Sequence, residues 1–205
     1  MIHDVSLMLI ILNPFAQMLY LSDLMQNCST SEFRKIFIQA SFLTLAICLF
    51  FAWTGDFMLS TIFQVKLPAV RIFGGMIILT VAYTFIMHGP EGVKLFRGDV
   101  TEISQQIALP LLVGPGIIWV CIHIGRIHTA PWDVLTIASA LLINGMLVLV
   151  YQRVYKNAHG RLEMMLLKYF AMAMRLNALM IGAVSVQMIL AGIQEFIQEG
   201  VRQVS

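Results

Sequence analysis

Two stretches of this chain set amide side chains, prolines and glycines in the middle of apolar runs. The first is Asn13-Pro14 with Gln17, inside a run from Val5 to Ser22; the second is Gly114-Pro115-Gly116, inside a run that begins at Ile107. Proline lacks the N–H that a helix needs, and its ring clashes with the turn before it. Each run therefore reads as a helix broken midway, at Pro14 and at Pro115. In hydrocarbon a break exposes N–H and C=O groups at several kcal/mol each, so it survives only where protein covers it or where it lines a polar cavity. Such ends have a defined chemistry. A half-helix N-terminus offers N–H groups and the positive end of a dipole to an anion, and a half-helix C-terminus offers carbonyls to a cation. Neither Val5–Ser22 nor Ile103–Ile122 contains an acidic or basic residue. Such breaks suit something small and polar that helix ends can satisfy without a charged side chain. Gly114 and Gly116 have no Cβ, so backbone can approach a ligand closely. Asn13 and Gln17, four apart, add amide donors and acceptors on one face. Asn13, Pro14, Gln17, Gly114, Pro115 and Gly116 are the candidate substrate site, placed near the bilayer midplane.

The elements that position these residues are membrane helices. The chain of 205 residues is 59% hydrophobic and 12% charged, with mean hydropathy +0.84. A soluble domain carries about 25% charged residues, so this is read as an integral all-α membrane protein. Six apolar segments have the ~20 residues a span requires: roughly 5–25, 36–59, 67–88, 107–125, 133–152 and 175–197. Ser29-Thr-Ser-Glu32 reads as a capping box ahead of the second, and Asp99-Val-Thr-Glu102 as a cap leading to the fourth. Residues 162–174 fit a surface helix or an extension of the sixth segment equally well. The first segment lacks a basic flank and a small-residue cleavage site and reads as a retained helix.

The two halves repeat. Pro14 stands 57 residues before Arg71, and Pro115 stands 60 before Arg175. Each arginine opens the third segment of its half. Three spans per half is odd, so the second half enters from the opposite side, which makes an inverted repeat of the kind transporters use. The expected organisation is repeat one over 1–92, a cytoplasmic linker over 93–104 and repeat two over 105–205. Loops after segments one, three and five carry eight lysines and arginines; the other loops with the C-terminus carry three. The positive-inside rule then puts both termini outside the cytoplasm.

Outside the breaks, polar residues are sparse. Arg71 and Arg175 read as snorkelling side chains or as a gate pair, and Asp56 as a candidate for coupling. Asn144 and Gln187 read as inter-helix hydrogen-bonding groups. The net charge of +2 and the scattered basic residues give no reason to expect nucleic acid. Cys28, Cys48 and Cys121 lack metal or redox spacing. The spans hold no HExxH, no GxSxG and no His/Asp pair at ligand spacing. Catalysis, a metal and a cofactor are therefore not expected.

Ile107-Ala-Leu-Pro-Leu-Leu-Val-Gly-Pro-Gly-Ile-Ile118 resembles the Pro-Leu-Leu-Ala-Gly-Pro-Gly-Ala-Ile signature of the MarC family of six-span membrane proteins. Asn13-Pro14 with Leu21-Ser22, Arg71-Ile-Phe-Gly-Gly75, and Arg175 through Gln187-Met188 to Gly192-Ile193 resemble that family's first, third and last helices. The resemblance implies a transporter of small neutral amino acids such as glycine and alanine, driven by a proton or other cation, in the inner membrane. Three departures stand out: Ala16-Gln17 replaces the family's Gly-Asn, Leu19 replaces a Pro, and Ala178 replaces a Gly. Competing expectations are an exporter or carrier of a small hydrophobic or drug-like cargo, and a membrane scaffold without a substrate.

Overall fold

The computed structural model of the chain describes residues 1–62, 64–88, 103–105, 107–157 and 161–204. Most of these residues are helical, and no strand occurs among them. The first apolar run forms α1 (Ile2–Leu12), α2 (Pro14–Tyr20) and α3 (Ser22–Asn27). Next come α4 (Thr30–Phe57), prolonged by a π turn at Met58–Ile62, and α5 (Leu67–His88). A second π turn, Ile107–Leu112, precedes α6 (Pro115–Ile127). The chain closes with α7 (Trp132–Lys156) and α8 (Arg161–Val204).

Five helical stretches are long and apolar enough to cross a membrane: Ile2–Tyr20, Thr30–Gly55, Leu67–His88, Trp132–Lys156 and Met164–Gln198. Gly116–Ile127 is apolar but shorter. The fourth segment expected from sequence is thus divided into a π turn and α6, because Gly114 is extended (φ −94°, ψ 171°) and Pro115 starts a new helix. The second helix starts six residues earlier than the apolar pattern alone implies. The capping box is the reason: Ser29 Oγ accepts from the Glu32 N–H at 3.1 Å, and Glu32 Oε2 accepts from the Ser29 N–H at 3.4 Å. α8 is continuous from Arg161, so residues 162–174 extend the sixth segment. The expected cap at Asp99–Glu102 and linker residues 93–102 lie outside the described residues.

The longest seam runs between α5 and α8. It is close because Gly75 and Gly192 lie in it: a Cβ on Gly75 would stand 2.9 Å from the Ser185 carbonyl, and one on Gly192 3.0 Å from that of Pro68. Small residues that let backbones approach are the usual means of helix association in lipid. α1 packs on α7 and α6, α4 on α6 and α7, α5 on α6, and α2 on α7 and α8. Met8, Leu12, Ile78, Ile117, Val120 and Ile137 lie in the buried centre. Phe42, Phe50, Phe73, Leu142, Met146 and Leu190 face outward, as hydrocarbon contact requires.

Polar contacts mark the two ends. At the end where the chain begins, Asp4 Oδ2 lies 3.0 Å from His128 Nε2, and Trp53 Nε1 donates to Asp133 Oδ2 at 2.7 Å. At the other end Gln26 Nε2 donates to the Tyr155 hydroxyl at 2.7 Å.

Candidate functional site

Asn13 makes the first break. Its backbone is left-handed (φ 48°, ψ 72°), a conformation that asparagine tolerates better than most side chains. Its N–H closes α1 on the Leu9 carbonyl at 3.1 Å, and its Oδ1 caps α2 by accepting from the Ala16 N–H at 3.2 Å. Pro14 occupies the first helical position of α2, where a missing N–H costs nothing. Two of the carbonyls at the break accept from amide side chains. Ile10, whose usual donor would be residue 14, accepts from Asn177 Nδ2 at 3.3 Å. Leu12, whose donor has turned to Asn13, accepts from Gln17 Nε2 at 2.8 Å. Gln17 Oε1 in turn accepts from Asn144 Nδ2 at 3.0 Å. Asn13, Gln17 and Asn144 are all buried.

The second break is built without side chains. The Val113 N–H donates to the Ala108 carbonyl at 2.8 Å, closing the π turn, and the Ile118 N–H donates to that of Gly114 at 3.1 Å, opening α6. Among the described residues no side chain caps α6. Its first-turn N–H groups at Gly116 and Ile117 therefore keep the anion-binding character of a helix N-terminus.

The two breaks meet across a cavity of about 120 Å³, lined by Asn13, Gln17, Gly114 and Gly116, with Ile78 and Phe85 among its walls. That is room for roughly four waters at about 30 Å³ each. Both breaks present donors to it. The N-terminus of α6 carries uncapped donors. Asn13 Nδ2 is buried with no hydrogen-bond partner among the described residues. A Cβ on Gly116 would stand 3.2 Å from Ile11 Cγ2 and overlap the tip of Ile78, so only glycine leaves the wall as it is. The arrangement can receive a small polar solute through main-chain and amide groups without a fixed charge.

Four of the six site residues named from sequence thus line one cavity. Pro14 and Pro115 set the breaks behind it. Arg71 lies elsewhere, at the chain-start end, paired with Glu195 and 4.9 Å from the centroid of the Trp119 ring. Arg175 is exposed on α8, about 30 Å along that helix from Glu195 at 1.5 Å per residue, so the two arginines do not meet. Asp56 belongs to the last turn of α4. Sequence reasoning missed Asn177, whose one signal was an amide inside an apolar run. It read Asn144 as a helix-linking group without its partner, and it did not foresee Glu195.

A family model described as "MarC family integral membrane protein" matches residues 1–197. A UPF0056 membrane protein of Aquifex aeolicus is 26% identical over 204 residues, covering 93% of this chain and 91% of the relative. A UPF0056 membrane protein of Methanocaldococcus jannaschii is 29% identical over 194 residues, covering 90% and 91%. One of Pyrococcus horikoshii is 24% identical over 145 residues, covering 70% and 72%. No solved structure matches the chain.

Proposed function

The chain belongs to the MarC family of integral membrane proteins, and from that premise we propose that it is a secondary transporter of small neutral amino acids. Glycine and alanine are the substrates in this reading, moved across the inner membrane by alternating access and driven by a proton or another cation. The observation that carries it is the cavity where the two broken helices meet, lined by Asn13, Gln17, Gly114 and Gly116. A zwitterion needs donors for its carboxylate, and the first turn of α6 and Asn13 Nδ2 supply them without a charged side chain. The cavity, about 120 Å³, has room for a solute as small as glycine or alanine.

The packing also supports six spans arranged as an inverted repeat, with the second π turn and α6 together forming the fourth span. Exchanging the first three segments with the last three carries the packing pattern onto itself. α1 on α7 corresponds to the second π turn on α4, α2 on α7 to α6 on α4, and α2 on α8 to α6 on α5; the α5–α8 and α4–α7 seams map onto themselves. With the positive-inside rule, the chain-start end faces out of the cytoplasm.

The test is a thermal-shift screen of the detergent-solubilised protein against all twenty amino acids at pH 5.5 and 7.5. A ligand at 100 times its Kd stabilises by about 2.7 kcal/mol. Stabilisation by glycine, alanine and serine, with none by leucine or tryptophan, is the expected result, and proton coupling adds a pH dependence. A flat response from folded protein overturns the reading and moves the assignment to another cargo.

A further inference from the structure

The lining of the cavity between the breaks is polar on one side and apolar on another. Asn13, Gln17, Gly114 and Gly116 belong to the broken segments, whereas α5 contributes only apolar side chains, Ile77, Ile78, Val81 and Phe85. A solute with a charged end and an aliphatic end has a preferred way to lie between them. Its carboxylate meets the first-turn N–H groups of α6. Its side chain turns toward α5, because a buried amide that faces a methyl group is left without a hydrogen bond.

Ile78 stands where that side chain begins. A Cβ built on Gly116 would overlap Ile78 Cδ1 and lie 2.8 Å from its Cγ1. The tip of Ile78 therefore rests against the Gly116 α-carbon, one bond from an N–H that receives the carboxylate. The substrate's own α-carbon is one bond of about 1.5 Å from its carboxylate, and each side-chain carbon adds one bond more. The first carbons of the side chain thus come up against Ile78. This wall is stiff on two counts. Ile78 is 6% exposed, and in a helix a β-branched side chain is held to essentially one χ1 rotamer. Nor has α5 room to retreat, since one turn away Gly75 already brings it against α8: a Cβ there would stand 2.9 Å from the Ser185 carbonyl.

We propose that Ile78 determines the largest side chain the site accepts. Glycine and alanine clear it, and each further carbon meets its δ and γ carbons. The inference rests on the transport reading above and adds to it the residue that sets the size of the substrate.

The experiment is competition against radiolabelled glycine uptake into proteoliposomes. The competitors are glycine, alanine, 2-aminobutyrate and valine, a series that grows by one carbon at each step. In an apolar pocket one carbon too many changes discrimination about tenfold or more. The wild-type inhibition constant should therefore rise at least about tenfold between alanine and 2-aminobutyrate. Ile78→Val removes only Cδ1; it should abolish that step and leave one of similar size before valine. Ile78→Ala should erase the step at valine as well. Leu190→Ala, on the outward face of α8, should keep the wild-type series. A residue with a purely structural part would weaken all four amino acids together, so the readout is the ratio of inhibition constants within each protein. Wild-type ratios in both Ile78→Val and Ile78→Ala, or a wild type that takes 2-aminobutyrate and valine as readily as alanine, overturn the proposal and leave the transport reading standing. Wild-type protein that takes up no glycine overturns the transport reading, and this inference with it.

Discussion

A side chain at Gly116 should close the cavity between the two breaks, in proportion to its size. A Cβ there overlaps Ile78 Cδ1 and stands 2.8 Å from Ile78 Cγ1 and 3.2 Å from Ile11 Cγ2. Ile78 is 6% exposed and forms part of the cavity wall, so the space into which it can retreat is the cavity itself. One carbon takes about as much room as one water, about 30 Å³. Gly116→Ala therefore removes roughly a quarter of the 120 Å³, and the three carbons of Gly116→Val leave room for about one water. Overpacking costs about 1–3 kcal/mol, and the gain in helix propensity over glycine returns up to about 1 kcal/mol. Both variants should fold. If the alanine denies the substrate carboxylate one backbone N–H, the loss is about 1.5–3 kcal/mol, or roughly 10- to 150-fold in KM. The valine should abolish uptake. The assay is radiolabelled glycine uptake into proteoliposomes, with thermal unfolding of the same preparations. A Gly116→Val protein that unfolds at the wild-type temperature and transports with unchanged KM refutes the idea that the breaks form the site.

Three further outcomes follow from the packing. The Gln17–Asn144 hydrogen bond (3.0 Å) should give a coupling of about 0.6–1.7 kcal/mol in a double-mutant cycle with Gln17→Leu and Asn144→Leu, read by denaturant unfolding; strictly additive effects would show that the amides act separately. Gly75→Val should lower the thermal midpoint by the equivalent of about 1–3 kcal/mol, since its Cβ meets the Ser185 carbonyl at 2.9 Å, whereas Gly145→Ala, whose nearest neighbour is Phe37 at 3.7 Å, should leave the midpoint unchanged or raise it. In protein with Cys28, Cys48 and Cys121 replaced, a single cysteine at Thr129 should label from outside the cell and one at Asn157 from the cytoplasm; labelling from the same side rules out α7 as a span.

What one residue does to its own backbone was legible in the sequence. Pro14 and Pro115 remove N–H groups wherever they stand, so both breaks were readable, and the four residues Asn13, Gln17, Gly114 and Gly116 singled out beside them line one cavity. Apolar runs of spanning length are equally local, and the third segment, 67–88, has the bounds its composition implied. The capping box at Ser29 was readable too, yet its effect on where α4 begins was underestimated because the residues after it are polar. Tertiary structure alone decided which groups answer the breaks. Asn177 meets the Ile10 carbonyl across 167 residues, Asn144 meets Gln17 across 127, and Glu195 meets Arg71 across 124. Nor did any local signal give the Ile78 wall, the small volume it encloses or the continuity of α8 from Arg161. A break is written in a residue's own covalent chemistry. Its partners are set by which helices lie side by side, and that follows from how closely whole faces, such as those of Gly75 and Gly192, can approach.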